Sequence, residues 1–120
     1  MLEGYNESFW EGIDTLVSSG NIIIDRPKGS FHPRFPNIEY KVDYGYIENT
    51  SSMDGGGIDV WIGSLADKNV NAVICTVDLM KKDSEIKLLI GCTEEEINTV
   101  YEFHNDSESM KGILIRRGYK

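Results

Sequence analysis

The sequence predicts an α+β fold that is mainly β: a small closed, OB-like barrel flanked by two helices. Three observations lead there. A chain of 120 residues normally builds one body with one core, so residues 1–120 are read as a single domain. Two stretches repeat apolar residues at helical spacing, whereas six short runs rich in β-branched and aromatic residues are punctuated by Gly, Pro and Asn. Several short strands at close spacing would leave exposed edges, and closure into a barrel removes them.

The elements follow in order. Ser8 and Glu11 have capping-box spacing, and Phe9, Trp10, Ile13, Leu16 and Val17 then recur at helical intervals until Ser18, Ser19 and Gly20. Exposed Phe9 and Trp10 on this helix would offer a self-association surface, which leaves a homo-oligomer open. The predicted strands are Ile22 to Asp25, Glu39 to Ile47, Ile58 to Ile62, Val70 to Met80, Glu85 to Ile90 and Ile113 to Arg116. Lys81, Lys82, Asp83 and Ser84 form the turn between the fourth and fifth. A second helix starts at Thr93, with Glu96 completing a capping box and Glu94 and Glu95 in the acidic first turn. Its apolar face is Ile97, Val100, Tyr101 and His104, and it ends near Asn105.

Composition narrows the function. Twenty Asp and Glu against 12 Lys and Arg give a net charge of −8, which makes general nucleic-acid binding an unfavoured reading. Apolar runs are short and the start lacks a basic segment followed by an apolar core, so a soluble, cytoplasmic protein without membrane association is expected. Cys75 and Cys92 lie in apolar, strand-like surroundings without metal-site or redox spacing, and are read as buried thiols.

The chemistry-bearing residues cluster at strand ends. Ile22 to Ile24 run into Asp25, Arg26, Pro27 and Lys28, which is either a site rim or a polar turn. Tyr40, Val42, Tyr44 and Tyr46 share one face of an extended segment in which Gly45 marks a bulge or a close backbone approach. Asp54 precedes three glycines and Asp59 opens a strand, so two carboxylates could converge on a hard divalent cation and its phosphate ligands. A solvated surface turn explains the same residues, and neither an EF-hand nor a P-loop is matched. Period two places Glu85 and Lys87 together, as a metal–phosphate pair or as an exposed ion pair.

Tyr44-Gly-Tyr-Ile47 leading into Asp54-Gly-Gly-Gly-Ile-Asp59 resembles the central signature of the soluble, magnesium-dependent inorganic pyrophosphatases, Tyr-Gly-Tyr-Ile followed by Asp-x-Asp-Pro-x-Asp. Ile24 to Ser30 resembles that family's early strand end, and Leu79 to Leu88 its later hairpin. The resemblance covers roughly residues 22 to 92 and implies the small barrel and hydrolysis of pyrophosphate or a related phosphoanhydride with Mg²⁺, or with Mn²⁺. By it, Asp54 and Asp59 would be metal ligands, joined by Asp83, Glu85 and, at the edge, Asp25. Tyr44, Tyr40 and Lys87 would hold phosphate, with Lys28 and Arg34 as further cationic contacts. Asp59, Asp54, Lys87 and Tyr44 would be the catalytic set.

Two departures stand out. The signature's middle aspartate, which helps deprotonate the attacking water, falls on Gly56, and its proline on Gly57. The second helix ends in Phe103-His104-Asn105, where the family has a Tyr-Lys pair. Weak turnover, a shifted substrate such as a nucleoside triphosphate, or a non-catalytic anion- or nucleotide-binding barrel are therefore all compatible with the chain. Residues 1–20 and 93–110 together hold ten of the acids and no base, so the rest of the chain is nearly balanced at +2.

Overall fold

The computed structural model describes residues 4–52 and 55–118. Helix α1 spans Glu7–Ser18 and is capped by Asn6, whose side chain accepts from the Ser8 amide at 2.7 Å, so the cap lies two residues before the predicted Ser8. Helix α2 spans Glu94–Phe103 and carries the expected capping box. The Glu96 amide donates to Thr93 Oγ1 at 3.1 Å while the Thr93 amide donates to Glu96 Oε1 at 2.8 Å. Neither helix is long and apolar enough to cross a membrane.

Among the described residues six strands lie between and after them: β1 (Ile22–Arg26), β2 (Asp43–Ile47), β3 (Ile58–Ile62), β4 (Val70–Asp78), β5 (Asp83–Ile90) and β6 (Met110–Arg116). Their spatial order is β1-β2-β3-β5-β4-β6, antiparallel throughout except for the parallel β3–β5 pair. The turn between β4 and β5 is residues 79–82, so Asp83 belongs to β5 rather than to the turn.

Closure of the sheet into the expected barrel is not seen. Among the described residues the sheet has two ends, β1 and β6, and no pairing joins them. The reason is visible in the cores. One face packs Trp10 and Ile13 of α1 against Ile47, Val60, Val73, Leu88 and Ile90, and the other packs Ile97 and Val100 of α2 against Val42, Trp61, Ala72, Ile74 and Leu89. A helix on each face buries what closure would have buried, which is why the centres of β4 and β5 read as near-continuous apolar runs. The free edges carry their own protection: a bulge and exposed Asp25 on β1, and exposed Lys111 and Arg116 on β6. Trp10 is buried at 2% exposure, which takes it out of the expected self-association surface, while Phe9 stays exposed. Cys92 is buried and Cys75 only partly so.

Gly45 explains how β1 and β2 approach. A Cβ there would collide with the Ile23 carbonyl oxygen and stand 2.9 Å from Ile24 Cα, both backbone atoms that cannot swing away. Gly45→Ala is expected to destabilise the fold by about 1–3 kcal/mol, read as a lowered urea midpoint. An unchanged midpoint would show that the two strands are not held this closely.

Candidate functional site

The face of the sheet under α2 carries the polar constellation, and strand register puts it there. Tyr44 lies opposite Trp61 and Tyr46 opposite Asp59, so these four share a face. In the parallel pair Val60 lies beside Leu88, and one residue back along both strands brings Asp59 beside Lys87. On β5 the same alternation adds Asp83 and Glu85, with Thr76 of β4 opposite Glu85.

Lys87 is the hub. Its Nζ donates to Asp59 Oδ2 at 2.7 Å, to Tyr44 Oη at 3.0 Å and to Glu85 Oε1 at 3.1 Å. The side chains of Lys87 and Glu85 are only 7% and 5% exposed, and that of Asp59 is 21% exposed. Burial opposes the charge on Lys87, but Tyr44 and Asp59 outweigh it and hold the pKa above the ordinary lysine value. Burial raises the Tyr44 phenol, with Asp59 acting in the same direction against Lys87, so the hydroxyl keeps its proton.

Charge accounting at this centre leaves a surplus. Two carboxylates face one ammonium, and among the described residues the buried Glu85 Oε2 has no hydrogen-bond partner. Orphaned buried oxygens are costly, and a carboxylate oxygen is a ligand type that hard cations take. The donor set fits a hard divalent ion in the manner of Mg²⁺, which uses one or two carboxylates with waters and phosphate oxygens as its other ligands. Among the described residues no three His, Cys, Asp or Glu side chains converge as a metal cage. Asp54, the first aspartate of the expected set, lies outside the described residues.

The other predicted residues separate into those the structure gathers and those it does not. Tyr40 is buried on the same face, stacked on Tyr44 with centroids 5.5 Å apart, and its hydroxyl accepts from Arg26 Nη1 at 3.1 Å. Asp83 is half-buried and 3.8 Å from Lys81. Asp25 does not join the Lys87 hydrogen bonds among the described residues. The register slips between Ile24, which faces Gly45, and Arg26, which faces Tyr44, so Asp25 occupies a β-bulge and is exposed. Without the bulge, alternation would have put Asp25 opposite Tyr44; with it, Arg26 takes that place. Sequence reading put Arg26 on a candidate rim but gave the site position to Asp25, because a bulge reverses parity without a compositional mark. Lys28 and Arg34 are exposed on the β1–β2 connection, where the Lys28 amide donates to Asp43 Oδ1 at 2.7 Å, and among the described residues neither bonds the Lys87 cluster. Gly56 is exposed and its carbonyl accepts from the Ser52 amide at 3.0 Å, leaving no side chain at the expected position of the water-activating acid.

His104, expected on the apolar face of the second helix, caps α2 and is buried behind the site. Trp61 Nε1 donates to its Nε2 at 3.1 Å, and Nδ1 lies 3.3 Å from Met110 Sδ. Burial, reinforced by the charge on Lys87, pushes its pKa down to about 3, so it serves as a neutral acceptor that fixes Trp61 beneath Tyr44. A hollow of about 490 Å³ lies elsewhere, lined by Asp14, Asn71, Ile97 and Arg117 among others, and shares no residue with the Lys87 cluster.

No protein-family profile and no curated protein matches the chain. Solved structures do. An inorganic pyrophosphatase of Helicobacter pylori is 15% identical with a TM-score of 0.53, over 81% of each chain. An inorganic phosphatase of Anaplasma phagocytophilum is 15% identical with a TM-score of 0.52, over 79% of this chain and 81% of its own. An inorganic pyrophosphatase of Coxiella burnetii is 13% identical with a TM-score of 0.50, over 82% of this chain and 83% of its own. At these identities the likeness shows the architecture alone: the chain has a mainly β, pyrophosphatase-like fold, a six-stranded sheet with two helices.

Proposed function

We propose that this chain hydrolyses pyrophosphate or a related phosphoanhydride with the help of a divalent cation, Mg²⁺ or Mn²⁺. The observation that carries the reading is the buried Lys87 ammonium held between Asp59, Glu85 and Tyr44, with Glu85 Oε2 lacking a partner among the described residues, on a fold similar to that of solved inorganic pyrophosphatases.

In this reading Asp59 and Glu85, with Asp54 and Asp83, would hold the cation, which neutralises phosphate oxygens and acidifies bound water. Lys87 and the protonated Tyr44 hydroxyl bind the phosphoryl oxygens on which charge develops. Arg26 and Tyr40 sit beside them and orient the second phosphate. A water oxygen bonds to phosphorus, the bridging P–O bond breaks, and the two phosphates and solvent take up the water's protons. The missing acid at Gly56 makes the step slow, since a positioned general base contributes about 10² to 10⁴ in rate.

The test is phosphate release from pyrophosphate with Mg²⁺ or Mn²⁺, parent against Asp59→Asn. Metal-dependent release that falls about 10²-fold or more in the variant is expected. No metal-dependent release by the parent, together with metal-dependent pyrophosphate binding in a calorimeter, would instead mark a site that binds without turnover.

A further inference from the structure

The connection between β1 and β2 carries two features that hydrolysis of bare pyrophosphate leaves unused. The first is a run of rings that leads from the surface into the site. Phe35 lies 5.1 Å from His32, His32 is stacked on Tyr40 at 6.4 Å and 16°, Tyr40 is stacked on Tyr44 at 5.5 Å and 28°, and Tyr44 Oη accepts from Lys87 at 3.0 Å. The outer end is open: Phe35 is 50% exposed. The His32 ring is held in place, because its Nδ1 accepts from the amides of Arg34 at 3.0 Å and Phe35 at 3.2 Å. Partial burial and the charges of Arg26 and Arg34 lower its pKa below the ordinary histidine value, which favours the neutral ring.

The second feature is unspent positive charge. Among the described residues Arg26, Lys28 and Arg34 stand in no ion pair, as is also true of Lys41, Lys68, Lys82 and Lys111, but Arg26 is the one whose guanidinium donates to a ring of this run, to Tyr40 Oη at 3.1 Å. The bulge at Asp25 turns Arg26 onto the site face, with its guanidinium 5.7 Å from the centre of the Tyr40 ring. Neutral aromatic faces beside unpaired guanidinium groups suit a ligand with a π-face at one end and phosphates at the other.

We propose that the substrate of this site is a nucleoside di- or triphosphate, with its phosphates between Arg26 and Lys87 and its base against the His32 and Phe35 rings. The inference rests on the phosphoanhydride reading above and adds the part of the substrate that the rings recognise. Free pyrophosphate has no group for those rings.

Calorimetry with Mg²⁺ separates the cases, using ATP and inorganic tripolyphosphate, which shares the phosphate chain but lacks the base. ATP is expected to bind roughly 5- to 150-fold more tightly than tripolyphosphate, the range that stacking of one base supplies. Phe35→Ala, at an exposed position, is expected to shrink that excess towards one. Equal affinity of ATP and tripolyphosphate in the parent overturns the nucleotide proposal and leaves phosphoanhydride hydrolysis standing if pyrophosphate is still cleaved. Failure to bind or cleave ATP, tripolyphosphate and pyrophosphate alike overturns both. A salt-sensitive, metal-independent preference for an oligonucleotide over ATP also overturns the proposal, in favour of a single-strand-binding surface.

Discussion

Lys87→Met is expected to abolish phosphate release and to lower stability by about 3–5 kcal/mol, the cost of removing one partner from a buried ion pair. The ammonium is the hub of Asp59, Glu85 and Tyr44, and the side chain that carries it is 7% exposed. Without it, two neighbouring carboxylates remain with little water to screen them, and a loss of this size is a large share of a small domain's ordinary 5–15 kcal/mol. Stability and chemistry can be told apart. Combining Lys87→Met with Asp59→Asn and Glu85→Gln removes the stranded charges, so the triple variant should recover much of the lost stability while phosphate release stays absent. A Lys87→Met protein with the parent's urea midpoint would mean that the cluster is solvated, and the site reading would fall with it.

The second large effect concerns pH. In the unfolded chain His104 titrates near 6.5, whereas in the folded chain its pKa lies at about 3 because the ring is buried and near Lys87. A group whose folded pKa is depressed withdraws stability as pH falls: the unfolded state gains a proton that the folded state refuses. The loss begins near pH 6.5 and grows towards pH 3, at up to about 1.4 kcal/mol per unit. Between pH 7 and pH 5, above most carboxylate titrations, the parent should lose roughly 2 kcal/mol. His104→Gln keeps an acceptor for Trp61 but cannot titrate, so its urea midpoint should fall clearly less over that window, the remaining slope coming from groups such as His32 that both proteins share. Parallel curves for the two proteins would show that His104 is not held neutral in the folded state.

How the site could be read in advance depends on which physical signal each residue leaves. Strand alternation alone placed Glu85 and Lys87 side by side, and it placed Tyr40 and Tyr44 on one face; the structure keeps both pairings. Gly45 was legible as a close approach because only glycine removes a Cβ from a strand. What alternation cannot supply is the lateral order of strands. That β3 lies against β5, and so brings Asp59 to Lys87, depends on long-range pairing that no local pattern encodes. Asp25 shows the complementary failure, since one extra residue in an edge strand exchanged its place with that of Arg26. The open sheet has the same origin: alternating and continuous apolar runs report burial, but do not say whether a second strand layer or a helix does the covering. His104 read correctly as apolar-facing, and its partner Trp61, 43 residues away in sequence, could not be named.

The parallel β3–β5 contact has a consequence for how the molecule assembles. β1, β2 and β3 form one meander and β4, β5 and β6 pair among themselves, and in the sheet these two halves meet along that single seam. Tyr44 and Asp59 arrive with the first half, Glu85 and Lys87 with the second. β4 and β5 pair locally through their short turn, whereas the β3–β5 seam joins Val60 to Leu88 and β4–β6 pairing joins Ala72 to Arg116, so both close longer loops and come later. Asp59 meeting Lys87 is therefore a checkpoint on folding as well as a feature of the finished site: the ion pair that would serve chemistry becomes complete only when both halves of the chain are in register.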